Sequence, residues 1–94
     1  MRVRWSVSAL ANLAAIADYI AAGNPGAAAR TASQIEETAR LLGDYPHMGR
    51  ATAFPEEREL IVSGTPFVIA YTVRSGELRI DGVFHASRGL RDKS

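Results

Sequence analysis

Arg2 to Ser6 alternates polar and apolar side chains around Val3 and Trp5, the two-residue period of a short strand with one buried face. The period then lengthens. With Ser8 as a candidate N-cap, apolar residues recur at Leu10, Leu13, Ile16 or Ala17, and Ile20, which predicts a helix over about 8–22, ended by Gly23. Asn24-Pro25 restarts a helix at once, because Asn caps and Pro is preorganised for the first helical position. The inner stripe of this second helix, about 25–42, is Ala28, Ala32, Ile35, Ala39 and Leu42, with Arg30, Gln34, Glu37 and Arg40 outward and Gly43 as its stop. So short a connection implies an antiparallel helical hairpin.

Residues 43–57 hold Pro46, Gly49 and Pro55 without a sustained period and read as an ordered loop. Strands follow at about 58–62, 67–74 and 78–85, separated by Ser63-Gly64-Thr65-Pro66 and the tight-turn pair Ser75-Gly76. The middle strand is almost wholly apolar, with Phe67, Ile69, Tyr71 and Val73 on one parity, so a buried Tyr71 hydroxyl needs a partner. In the last strand Leu78, Ile80 and Phe84 alternate with Arg79, Asp81, Val83 and His85, and a basic tail occupies 86–94. The predicted fold is α+β in the order β-α-α-β-β-β, one domain over 1–94. Its N-terminal strand and helical hairpin pack on one face of an antiparallel sheet.

Composition narrows the function classes. A chain of 94 residues, 47% hydrophobic, supports one modest core and no second domain. Without cysteine there are no disulfides or thiolate metal sites, and His47 and His85 alone make a poor zinc set, so no metal or other cofactor is expected. The remaining means of stabilising so small a domain is a partner subunit. Neither a signal peptide nor a membrane span is legible, which points to the cytoplasm. A net charge of +1 argues against affinity built on phosphate neutralisation, so no direct specific nucleic-acid binding is expected.

Ser63 or Ser87 with His85 and Asp81 could be written as a nucleophile triad, yet no Gly-x-Ser-x-Gly elbow exists and Asp81 shares a strand with His85. Glu36-Glu37 and Glu56-Glu57 read as solvated charge rather than acid–base pairs. Trp5 and Phe84 read as packing anchors. Left over is a polar group, Arg58, Glu59, Arg79, His85, Arg88 and Arg91. Its spacing permits ribonuclease chemistry, with His or Arg handling the proton and Arg clamping phosphate, but favours a solvated strand face plus a partner-binding edge.

Trp5-Ser6 with Ala9, Leu13, Ile16, Tyr19 and Ile20, then Asn24-Pro25 and an alanine-rich helix, resembles the opening of the RelE/ParE toxin superfamily. Tyr45-Pro46-His47-Met48-Gly49-Arg50 is similar to that family's proline-x-x-glycine-arginine turn. Arg58-Glu59-Leu60, Tyr71-Thr72-Val73 and Ile80 to His85 with Arg88 resemble its sheet and closing histidine-x-x-arginine. The resemblance implies a toxin of a type II toxin–antitoxin system, neutralised in a hetero-oligomer by a co-encoded, ParD-like antitoxin. The expected antitoxin site is the groove between hairpin and sheet.

Members of this superfamily act on DNA gyrase (ParE-like) or cut messenger RNA in the ribosomal A site (RelE-like). Here Val68 and Ile69 stand where the nuclease branch often has a catalytic arginine, and a C-terminal tyrosine is missing. The gyrase reading is therefore preferred, with Arg79, His85, Arg88, Arg91, Lys93 and Arg50 as target-binding residues. A nuclease would instead use His85, Arg88 and Arg58, and a divergent, non-toxic binding module is the third reading.

Overall fold

In the computed structural model, which describes residues 1–88, the chain runs through β1 (Arg2–Trp5), α1 (Val7–Ala21), α2 (Pro25–Asp44), β2 (Arg50–Ala51), β3 (Glu57–Ile61), β4 (Phe67–Arg74) and β5 (Glu77–His85). A 3-10 turn at Ala86–Arg88 closes the described region. The helical hairpin and the strands therefore follow the expected order. The sheet order is β1-β5-β4-β3-β2, with β2 to β5 antiparallel.

Two differences concern the sheet. β1 does not lie on its face but forms its edge beside β5, in parallel, which makes the sheet mixed. That register sets Val3 beside Leu78 and Trp5 beside Ile80, so both strands bury their apolar parity under the helices. Inside the expected 43–57 loop, Arg50 and Ala51 form the short edge strand opposite Glu59 and Arg58.

Ser6, not Ser8, caps α1: its Oγ accepts from the Ala9 N–H at 3.0 Å while its own N–H extends the sheet to the Ile80 carbonyl. With the helix starting at Val7, the buried stripe is Ala9 and Leu13 with half-buried Ile16 and Ile20, and Leu10 faces outward. Nearly every position of α1 is apolar, so periodicity alone left its phase open. Asn24 caps α2 as expected, its Oδ1 accepting from Ala27 at 3.0 Å. Gly43 does not stop that helix, which runs on to Asp44. The glycine is there for close approach: a Cβ would lie 2.8 Å from the Met1 carbonyl, whose own ammonium donates to the Gly43 carbonyl at 2.8 Å.

The core joins Ile35, Ala39 and Leu42 of α2, Ala9 and Leu13 of α1, and Val62, Ile69, Tyr71, Leu78, Ile80 and Val83 from the sheet side. Trp5 packs against it, as an anchor should. Phe84 does not. Opposite Tyr71 stands Ile80, but opposite Ala70 stands Gly82, so Asp81 is an additional residue in β5. This bulge reverses the alternation and sends Val83, rather than Phe84, into the core. Ser75 and Gly76 both take positive φ, 52° and 76°, the geometry of a two-residue hairpin turn.

Candidate partner-binding surface

Directly opposed residues of paired strands share a face, so the ladder assigns the polar candidates to faces. Arg58 lies opposite buried Tyr71 on the helix-bearing side, and its Nη1 donates to the Gly49 carbonyl at 2.7 Å. Arg79 lies opposite Thr72 on the other side, exposed, with Nε 2.5 Å from Asp81 Oδ1. The Asp81 hydrogen bond and charge raise the guanidinium pKa further above its ordinary value. Arg50 is exposed at the β2 edge, its Nη2 3.6 Å from a carboxylate oxygen of Glu59, a residue only 8% exposed.

His85 sits at the far end of β5, exposed, with its ring edge-on to Phe67 at 5.5 Å. Its Nδ1 accepts the Ser87 N–H at 3.1 Å and lies 2.7 Å from Ser87 Oγ. A backbone N–H can only donate, so Nδ1 is unprotonated and Nε2 carries the hydrogen in the neutral ring. Among the described residues the serine–histidine pair has no orienting carboxylate of a triad: Asp81 instead accepts from Thr72 Oγ1 at 2.6 Å and from Arg79. The backbone of Arg88 belongs to the 3-10 turn. Arg91 and Lys93 lie outside the described residues. Arg58, Arg79 and His85 thus occupy different faces or ends of the sheet and are not brought to one point.

What holds the 46–50 turn is a constellation the spacing did not reveal. The Tyr71 hydroxyl donates to the Pro46 carbonyl at 2.8 Å and accepts from the Gly49 N–H at 2.9 Å. These are the partners that its burial demanded. Burial pushes the Tyr71 phenol pKa up, against a lowering by the Gly49 hydrogen bond and by the charge of Arg58. A Cβ on Gly49 would stand 2.6 Å from the Tyr71 hydroxyl and 2.7 Å from the Glu59 carbonyl, so this glycine is dictated by close approach. The turn displays Tyr45 and Met48 outward around a shallow depression lined by residues Asp44 to Met48. A second exposed apolar surface covers α1, where Val7 is 85%, Leu10 53% and Tyr19 85% exposed. Between hairpin and sheet the space is filled by the core.

Residues 3–90 match the model of a protein family described as ParE toxin of type II toxin-antitoxin system, parDE. This chain belongs to that family. A ParE-family assignment agrees with two curated relatives. Toxin RelE2 of Caulobacter vibrioides (strain ATCC 19089 / CIP 103742 / CB 15) is 44% identical over 88 residues, 93% of this chain and 97% of the relative. Putative toxin Y4kP of Sinorhizobium fredii (strain NBRC 101917 / NGR234) is 36% identical over 85 residues, 90% of this chain and 88% of the relative. The fold is similar to a chain of the chromosomal ParDE TA system from P. aeruginosa, with TM-score 0.79 and 27% identity over 90% of this chain and 95% of that one. For a ParE-family chain, the missed signals were Asp81, Asn12 and Ser6: Asn12 is the one polar residue of α1 between Ser8 and Asp18.

Proposed function

We propose that this ParE-family protein arrests growth by binding DNA gyrase in the cytoplasm, and that a ParD-like antitoxin neutralises it by binding the toxin directly. The observation that carries the reading is the dispersal of Arg58, Arg79 and His85, basic candidates among the described residues. The Arg58 guanidinium is committed to the Gly49 carbonyl on one face, Arg79 to Asp81 on the other, and His85 stands at the strand end. General acid–base cleavage of RNA needs a proton donor and a phosphate clamp at one reacting centre. Binding needs no such convergence. A ligand that prefers one gyrase conformation by a few kcal/mol stalls the cycle without reacting. Against a nucleic-acid surface among the described residues, exposed arginines are matched by carboxylates, among them Arg4 with Glu77 at 3.4 Å, Arg74 with Glu56 at 3.0 Å and Arg79 with Asp81 at 2.5 Å. Exposed apolar side chains on α1 and around Tyr45 favour protein partners instead.

Titrating the purified toxin into gyrase supercoiling of relaxed plasmid, with antitoxin added back, tests the proposal. Inhibition reversed by antitoxin is expected; gyrase indifferent to the toxin overturns it. The second reading, ribosome-dependent cleavage of messenger RNA, is favoured by one observation, an exposed His85 whose Nδ1 accepts the Ser87 N–H. Under that reading His85→Ala abolishes turnover while ribosome binding survives.

A further inference from the structure

We propose that Ser6, Asn12 and Thr72 are positioning residues for the target-contacting end of β5, because together they clamp the Asp81 bulge that decides which face of the sheet His85 occupies. The inference rests on the reading that the His85 end of the strand meets the toxin's target. From Glu77 to Ile80 the strand pairs regularly with β4, and from Gly82 to His85 it pairs regularly again, one residue out of step. With the extra residue, Val83 joins Ile69 and His85 joins Phe67 on the helix-bearing side. Without it, Gly82 and Phe84 would turn inward and His85 outward, the arrangement that simple alternation suggests.

A bulge leaves ladder groups unpaired and must be stabilised by other contacts. Here the contacts come from β4, from the cap of α1 and from within α1. Thr72 Oγ1 donates to Asp81 Oδ2 at 2.6 Å from β4. Ser6 Oγ, at the start of α1, donates to the Asp81 carbonyl at 3.2 Å. Asn12 Oδ1, one turn and a half into the helix, accepts the Val83 N–H at 3.1 Å and would stand 3.2 Å from a Cβ on Gly82. Asparagine is a poor helix former, so its place in an otherwise apolar stretch of α1 follows from this bond rather than from the helix. The helix that covers β5 thus also sets its register.

The test compares Asn12→Ala and Thr72→Val with Asn12→Asp, which keeps the acceptor, and with His85→Ala. Three readouts are taken: the inducer dose that arrests growth, affinity for the antitoxin, and the nuclear Overhauser contact between the Phe67 and His85 rings. In Asn12→Ala and Thr72→Val the ring contact should be lost and the arresting dose rise about tenfold, with antitoxin affinity within about twofold of the parent. Asn12→Asp should restore both. If the ring contact persists in Asn12→Ala and Thr72→Val, the positioning role is overturned. If the contact is lost while toxicity stays at the parent level and His85→Ala is non-toxic, the role is overturned too. A fully toxic His85→Ala instead removes the target reading on which the proposal stands.

Discussion

Beneath the 46–50 turn and on the outside of α1, this small domain treats large side chains in opposite ways. Tyr71 is fully buried and its hydroxyl is satisfied twice, by Pro46 and Gly49. Tyr19, Val7 and Leu10 stand in solvent on a helix whose only charged residue is Asp18. Beside α1, α2 shows what a helix facing water normally carries: Arg30, Gln34, Glu37 and Arg40 outside, with Glu37 paired to Arg40. The difference separates a region that holds the fold together from one whose apolar surface the fold leaves uncovered. Stability should therefore be concentrated in the first region and nearly absent from the second.

The largest effect is expected at Gly49. In Gly49→Ala the new methyl meets the backbone carbonyl of Glu59 and the Tyr71 ring, neither of which is a flexible side-chain end. Overpacking together with loss of the Tyr71 hydrogen bond should cost about 3 kcal/mol, seen as a melting temperature about 15 °C lower by calorimetry. An unchanged melting temperature would mean that the turn is not clamped.

Tyr71→Phe comes next. It keeps the ring and removes one donor and one acceptor, so about 2 kcal/mol is expected from urea unfolding. The same residue gives a pH dependence. Its folded-state pKa is raised above the 10.0 of an unperturbed phenol, chiefly by burial. The neutral form is therefore favoured in the fold, and the stability it contributes is complete below the unfolded pKa and lost as pH rises through the folded one. Parent protein should lose stability from about pH 10 upward more steeply than Tyr71→Phe does; parallel alkaline unfolding curves would count against this.

Ser6→Ala should cost about 1 kcal/mol or slightly more. It removes the cap on Ala9 and the bond to the Asp81 carbonyl together, and leaves the core intact. Thermal melts followed by circular dichroism check it, and an unshifted curve would remove Ser6 from the contacts that matter.

How far these regions could be read beforehand differs in an instructive way. The α2 stripe, the Asn24-Pro25 start, the Phe67-to-Val73 parity and the Ser75-Gly76 turn were legible because each is a local pattern tied to one backbone geometry. The phase of α1 was not, since a helix apolar nearly all round offers no contrast between faces. Val83 was exchanged for Phe84 because a single extra residue, Asp81, inverts alternation, and the groups that hold it come from other elements, Ser6 at the cap of α1 and Asn12 within it lying more than 70 residues away and Thr72 on β4. The parallel β1–β5 pairing was hidden for the same reason: its partners lie at opposite ends of the chain. At the candidate surface, residue types suggested one basic cluster, whereas strand pairing divides Arg58 from Arg79 between two faces.

The smallest effect is expected on α1, and it tests the comparison from its other side. Leu10 is 53% exposed and points away from the core, so Leu10→Gln removes little buried area and exchanges one good helix former for another. Unfolding in urea should shift by no more than about 0.5 kcal/mol, while the toxin alone becomes more soluble as its apolar surface shrinks. A loss of about 2 kcal/mol, equal to that expected for Tyr71→Phe, would mean that the outer face of α1 contributes to folding, and the contrast between the two regions would fail.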